Sequence, residues 1–183
     1  MRRRAAAALA VLCTAGLAGC GGDDDGGGQD RAAQFKQRST ALCDRAVAAA
    51  RRETTRLEQQ VAVVAKTGDP EALRQELLRY LDRTEAALRP LVQESRDVTP
   101  PEDAEAWQEL QDRSEAAFTK TFDDASSRVR ETDFTSLKAV QGLLGRLEEV
   151  SKGFSDVARQ SDRVYRKYGV QACLSDRLTR ALQ

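Results

Sequence analysis

Apolar residues recur at every third or fourth position along four long segments of this chain. That period matches the turn of an α-helix and not the two-residue alternation of a half-buried strand, so each segment reads as a helix with one face to bury. The first stripe holds Phe35, Leu42, Ala46, Ala49, Leu57, Val61 and Val64 and stops at Thr67-Gly68-Asp69-Pro70. There Gly suits the end of one helix, Asp the cap of the next and Pro its first turn. The second stripe is Leu73, Leu77, Leu81, Thr84, Leu88 and Leu91. Pro90 within it removes a backbone hydrogen bond, but Leu91 and Val92 continue the pattern, so a kink is expected rather than an end. Thr99-Pro100-Pro101-Glu102 then breaks the chain with the spacing of a capping box.

The third stripe is Trp107, Leu110, Phe118, Phe122, Ala125 and Val129. The fourth is the most regular: Leu137, Val140, Leu144, Leu147, Phe154, Ala158, Ser161, Tyr165 and Tyr168, with a polar place at Ser151. Gly142, Gly145 and Gly153 weaken that helix and are read as permitting close packing. Gly169 has the place of a C′ residue, and Leu174, Leu178 and Leu182 fit a short amphipathic helix after it. Short connections between long helices favour antiparallel neighbours. The expectation is an all-α, antiparallel up-down-up-down four-helix bundle, formed by residues 31–183 as a single domain. Its exposed loops at Lys66 to Pro70 and Arg130 to Asp133 would be landing places for a partner or merely solvated turns.

Ahead of the helices, Met1 to Arg4 is basic and Ala5 to Ala18 almost wholly apolar, the two parts of an export signal. The apolar run is too short to span a membrane, which takes about 20 residues. Leu17-Ala18-Gly19-Cys20 resembles the lipobox of bacterial lipoproteins, in which the cysteine becomes the lipidated N-terminus after cleavage. Residues 1–19 are thus read as a lipoprotein signal peptide and 20–30 as lipidated Cys20 with a flexible Gly/Asp tether. Acyl chains of the palmitate kind contribute about 0.8 kcal/mol per buried CH₂, and two or three anchor stably. The expected location is the extracytoplasmic face of the cell membrane, with the membrane itself a partner through the lipid. The alternative is an ordinary secretory signal with a chance cysteine. A calcium site at Asp23-Asp24-Asp25 lacks the ring of spaced ligands that such a loop needs.

The cysteines sort themselves on this reading. Cys13 leaves with the signal and Cys20 carries lipid, so Cys43 and Cys173 remain, and an exported domain oxidises such a pair. The rival reading, a reactive thiol or half a metal site, finds no histidine in the chain. A Cys43–Cys173 bond would close the bundle where helix one starts and helix four ends. On a chain-entropy estimate it would stabilise the fold by up to roughly 5 kcal/mol.

Composition excludes several chemistries. Three of the 29 basic residues, Arg2 to Arg4, belong to the signal, leaving 26 against 29 acidic ones and no basic footprint for nucleic acid. Without His there is no Ser-His-Asp triad and no Glu-x-x-His metal pair of the kind helical bundles use. Ser-x-x-Lys, Gly-x-Ser-x-Gly and phosphate-loop motifs are missing too. Glu94-Ser95 resembles the Glu-Ser pair of lytic transglycosylases, without the glycine- and glutamine-containing motif expected downstream. No cofactor or metal is called for.

With the lipobox, "FKQRSTALCDRAVAAA" at 35–50, "TPPEDAEAW" at 99–107 and "YGVQAC" at 168–173, the chain resembles a group of small helical envelope lipoproteins of high-GC actinobacteria. Members often carry asparagine near the first cysteine and end abruptly after the second, whereas here Asp44 follows Cys43 and ten residues follow Cys173. The resemblance implies a helical, disulfide-closed lipoprotein and carries no known activity with it. The expected function is a non-catalytic interaction or accessory module of the envelope, with an envelope protein as its partner. The alternative is a lipoprotein holding a small apolar or lipid molecule, with Trp107, Phe118, Phe122, Phe154, Tyr165 and Tyr168 lining the cavity.

Overall fold

The computed structural model describes residues 28–181, and these are helical apart from short connections, with no strand among them. The signal segment, Cys20 and most of the tether lie outside the described residues. Six α-helices follow in order: α1 Gly28–Thr67, α2 Pro70–Ser95, α3 Ala104–Glu131, α4 Leu137–Lys152, α5 Ser155–Lys167 and α6 Ser175–Ala181. A 3₁₀ turn, Gln171–Cys173, lies between the last two.

The turn between α1 and α2 forms as its sequence requires. Gly68 takes φ 66°, Asp69 accepts from the amides of Glu71 at 2.9 Å and Ala72 at 3.2 Å, and Pro70 opens α2. Helix α2 continues through Pro90 to Ser95. The next junction departs from expectation. Asp103, not Thr99, precedes the helix, in a left-handed conformation (φ 59°) with no side-chain cap, so the capping box does not form. Glu102 and Asp103 turn instead to the Lys167 ammonium, at 2.8 and 3.3 Å.

The fourth stripe is not one helix. The helix is interrupted at Gly153 and Phe154, which separates α4 from α5. Leu143 is buried, while Leu137 and Leu144, both on the expected stripe, are 73% and 38% exposed. The glycines of α4 do not serve close packing either, since a Cβ at Gly142 or Gly145 would meet nothing within 4 Å. Helix α5 ends as a Schellman motif: Gly169, at φ 68°, donates to the Arg166 carbonyl at 3.2 Å and Val170 to that of Tyr165 at 2.8 Å. Leu174 and Leu178 are buried around α6, and Leu182 lies outside the described residues.

Helices adjacent in the chain pack on one another, α1 on α2, α2 on α3 and α3 on α4, and α5 also lies against α3. The stripes of the first three helices form the core, from Phe35 and Leu42 through Leu81 and Leu88 to Trp107, Phe118 and Phe122. At its edge Arg83 bridges Glu53 of α1 at 3.0 Å and the buried Glu76 at 2.9 Å. Arg45 pairs with Glu94 at 2.6 Å, Arg96 with Asp112 and with Glu115 at 2.9 Å, and Arg89 lies over the Phe118 ring. Cys43 and Cys173 are bonded, with their Cα atoms 5.4 Å apart.

Candidate functional site

The aromatic side chains do not form one layer. Phe35 from the start of α1, Trp107 from the start of α3, and Tyr165 and Tyr168 from the end of α5 gather into one cluster. Trp107 stands edge-on to Phe35 at 5.8 Å and to Tyr165 at 5.7 Å, and Phe35 meets Tyr168 at 5.2 Å. Edge-to-face contacts of this kind contribute about 0.5–1.5 kcal/mol each beyond area burial. The Trp107 indole donates to the Val98 carbonyl at 3.2 Å, which fixes the ring beneath the α2–α3 connection. Of the six residues singled out from sequence, Phe118 and Phe122 pair at 5.0 Å about three to four turns further along α3. Phe154 is fully buried where α5 begins.

Sequence reasoning placed Ser161 on the fourth stripe but missed Gln111 and Ser39, the rest of the polar part of this core. Gln111, Ser39 and Ser161 are each at most 2% exposed. Each sits four residues from a member of the cluster: Trp107 and Gln111, Phe35 and Ser39, Tyr165 and Ser161. That spacing was the available signal for Gln111 and Ser39, because positions four apart share a helix face. Burial, and secondarily the nearby charge of Asp162, pushes the Tyr165 phenol far above its ordinary range, so it stays protonated.

Elsewhere the surface offers two open clefts. One on α3 is lined by Asp112, Glu115, Thr119, Lys120, Asp123 and Asp124, the other on α1 by Arg51, Arg52, Thr55, Arg56, Gln59 and Gln60. The carboxylates of the first are largely engaged, Asp112 and Glu115 by Arg96 and Asp124 by Lys120. No group of three His, Cys, Asp or Glu side chains suited to a metal occurs among the described residues. The Glu94-Ser95 pair serves the fold: Glu94 holds Arg45, and the buried Ser95 hydroxyl donates to the Val92 carbonyl.

Large apolar side chains are exposed at Val63, Leu137 and Leu144. Thr132 and Phe134, in the connection between α3 and α4, are buried and knitted to α2. The Arg74 guanidinium donates to the Thr132 carbonyl at 3.2 Å and lies 5.4 Å from the centre of the Phe134 ring. The start of α2 therefore lies against the connection between α3 and α4. Among the described residues no helix is long and apolar enough to cross a membrane. No protein-family model, curated protein or solved structure matches the chain.

Proposed function

We propose that this protein is a lipid-anchored, non-catalytic module of the cell envelope, held through Cys20 on the extracytoplasmic face of the membrane and acting by contact with an envelope protein. In this reading the helices make an antiparallel up-down-up-down bundle in which α4 and α5 share the place of the fourth helix. The pairings support that topology. Arg45–Glu94 and Glu53–Arg83 advance along α1 while retreating along α2, and Arg113–Gln160 and Glu102–Lys167 do the same for α3 and α5.

The observation that carries the functional reading is the position of the exposed apolar residues. Val63, near the end of α1, and Leu137, at the start of α4, belong in this topology to the pole remote from the Cys43–Cys173 bond and the lipid. Each offers a partner apolar surface to bury at that end. The resemblance to small actinobacterial envelope lipoproteins supports the lipid-anchored helical architecture of this reading. A second reading, a lipoprotein holding a small apolar or lipid molecule between its helices, draws on the aromatic cluster.

The test is the native mass of the protein released from its own envelope in mild detergent, measured against its denatured mass. A native mass larger by one protein chain, lost in Val63→Asp/Leu137→Asp with the thermal midpoint nearly unchanged, is the expected result. A lone chain bearing only lipid overturns the contact reading, and Cys20→Ser that stays with the membrane overturns the anchor.

A further inference from the structure

Hydroxyls buried in a helical core ordinarily satisfy themselves by bonding back to the carbonyl four residues earlier. Ser114 and Thr84 do so here, donating to the carbonyls of Leu110 and Tyr80, each at 2.7 Å. Ser39 and Ser161 are equally buried and do not; neither hydroxyl has a protein partner. The same holds for both ends of the Gln111 side-chain amide and for the Tyr165 hydroxyl. A buried polar group left unpaired destabilises the fold, so several together in one core call for a partner.

All four belong to the stretches of α1, α3 and α5 that meet at the ring cluster. The Phe35, Trp107 and Tyr165 rings touch, and Ser39, Gln111 and Ser161 each lie one turn away on the same three helices. Long helical side chains lean toward the N-terminus of their helix. Tyr165 therefore reaches from the ring layer toward Ser161, and Gln111 reaches back toward Trp107.

We infer that Ser39, Gln111, Ser161 and Tyr165 form an internal binding site between α1, α3 and α5 for a small, neutral molecule that both donates and accepts hydrogen bonds. The amide supplies a donor and an acceptor and the three hydroxyls supply either, so the occupant must do both. It is uncharged, because none of the four carries charge and an ion without a counter-charge is very costly in such a place. Asp162, whose charge acts on Tyr165, is committed to the Ser175 amide at 2.9 Å and its hydroxyl at 2.7 Å. Water has this chemistry, and so does the hydroxyl or carboxamide head of a small organic molecule whose body meets the aromatic rings.

The deciding experiment is a high-resolution crystal structure of the protein purified from its envelope, with native mass spectrometry on the same preparation. A bridging molecule within hydrogen-bond distance of Gln111 and two of the three hydroxyls is expected; added small-molecule mass identifies an organic occupant, and none identifies water. Gln111→Leu and Tyr165→Phe should each lower the thermal midpoint, by roughly 4 °C or more. Gln111 bonded directly to Tyr165 or a serine with nothing between them overturns the site. So does a midpoint that rises in Gln111→Leu, since removing a dry, unpaired amide stabilises. Both measurements read the wild-type core and are independent of the lipid anchor and any docking partner.

Discussion

Two aspartates stand immediately before helices, and only one caps. Asp69 has extended backbone and accepts from two amides of α2; Asp103 lies in the left-handed region and gives its carboxylate to Lys167. Asp69→Ala should therefore lower stability by about 1 kcal/mol in urea unfolding. The cap at Asp69 is legible because every residue involved lies within four positions. The partner of Asp103 is 64 residues away, so local spacing at Thr99-Pro100-Pro101-Glu102 suggested a capping box that a distant ammonium undoes. Gln111 differs, because its place four residues after Trp107 put it on the inward face, and only its polar side chain kept it off the stripe. Asp133 gives the residue scale a pH dependence. The Thr135 hydroxyl, at 2.6 Å, and amide, at 2.9 Å, hold its carboxyl below the ordinary value. A depressed carboxyl contributes stability above its unfolded pKa of about 4 and loses it as pH falls through the folded value. Asp133→Asn should accordingly flatten the acid side of a stability–pH profile below about pH 4, leaving the neutral side parallel to wild type.

At the scale of elements, the stripes of α1, α2 and α3 were readable because each is one uninterrupted helix, and burial follows the 3.6-residue period. The most regular stripe misled for a reason of geometry. The helix is interrupted at Gly153 and Phe154, and across that break the buried face of α4 is not the one that the single stripe describes. Leu137 and Leu144 fall outside while Leu143 turns in. The glycines of α4 then lose their packing rationale and keep only their entropic cost. Gly142→Ala and Gly145→Ala should each raise stability by about 0.5–1 kcal/mol, visible as a higher thermal midpoint. Gly169→Ala should do the opposite, by about 1 kcal/mol or more, because its positive φ is required by the Schellman turn.

For the molecule as a whole, the cysteine pairing was legible by elimination on the expectation of a lipidated, exported chain, and the bond is present. The candidate site was legible only in part. Composition selected the aromatic residues, but which of them meet depends on helix register, and that brought Phe35 in and set Phe118 and Phe122 apart. Cys43→Ser with Cys173→Ser should cost about 2–5 kcal/mol in urea unfolding, and reductant should reproduce the loss in wild type only. The same bond decides how the molecule answers to force. A pull applied at residues 30 and 180 passes directly from Cys43 to Cys173, so the enclosed helices carry no tension. Their 130-residue span, about 450 Å of extended chain at roughly 3.5 Å per residue, stays out of reach until the sulfurs part. Tethered at a cell surface, such a protein would fray at its ends under shear and keep its interior.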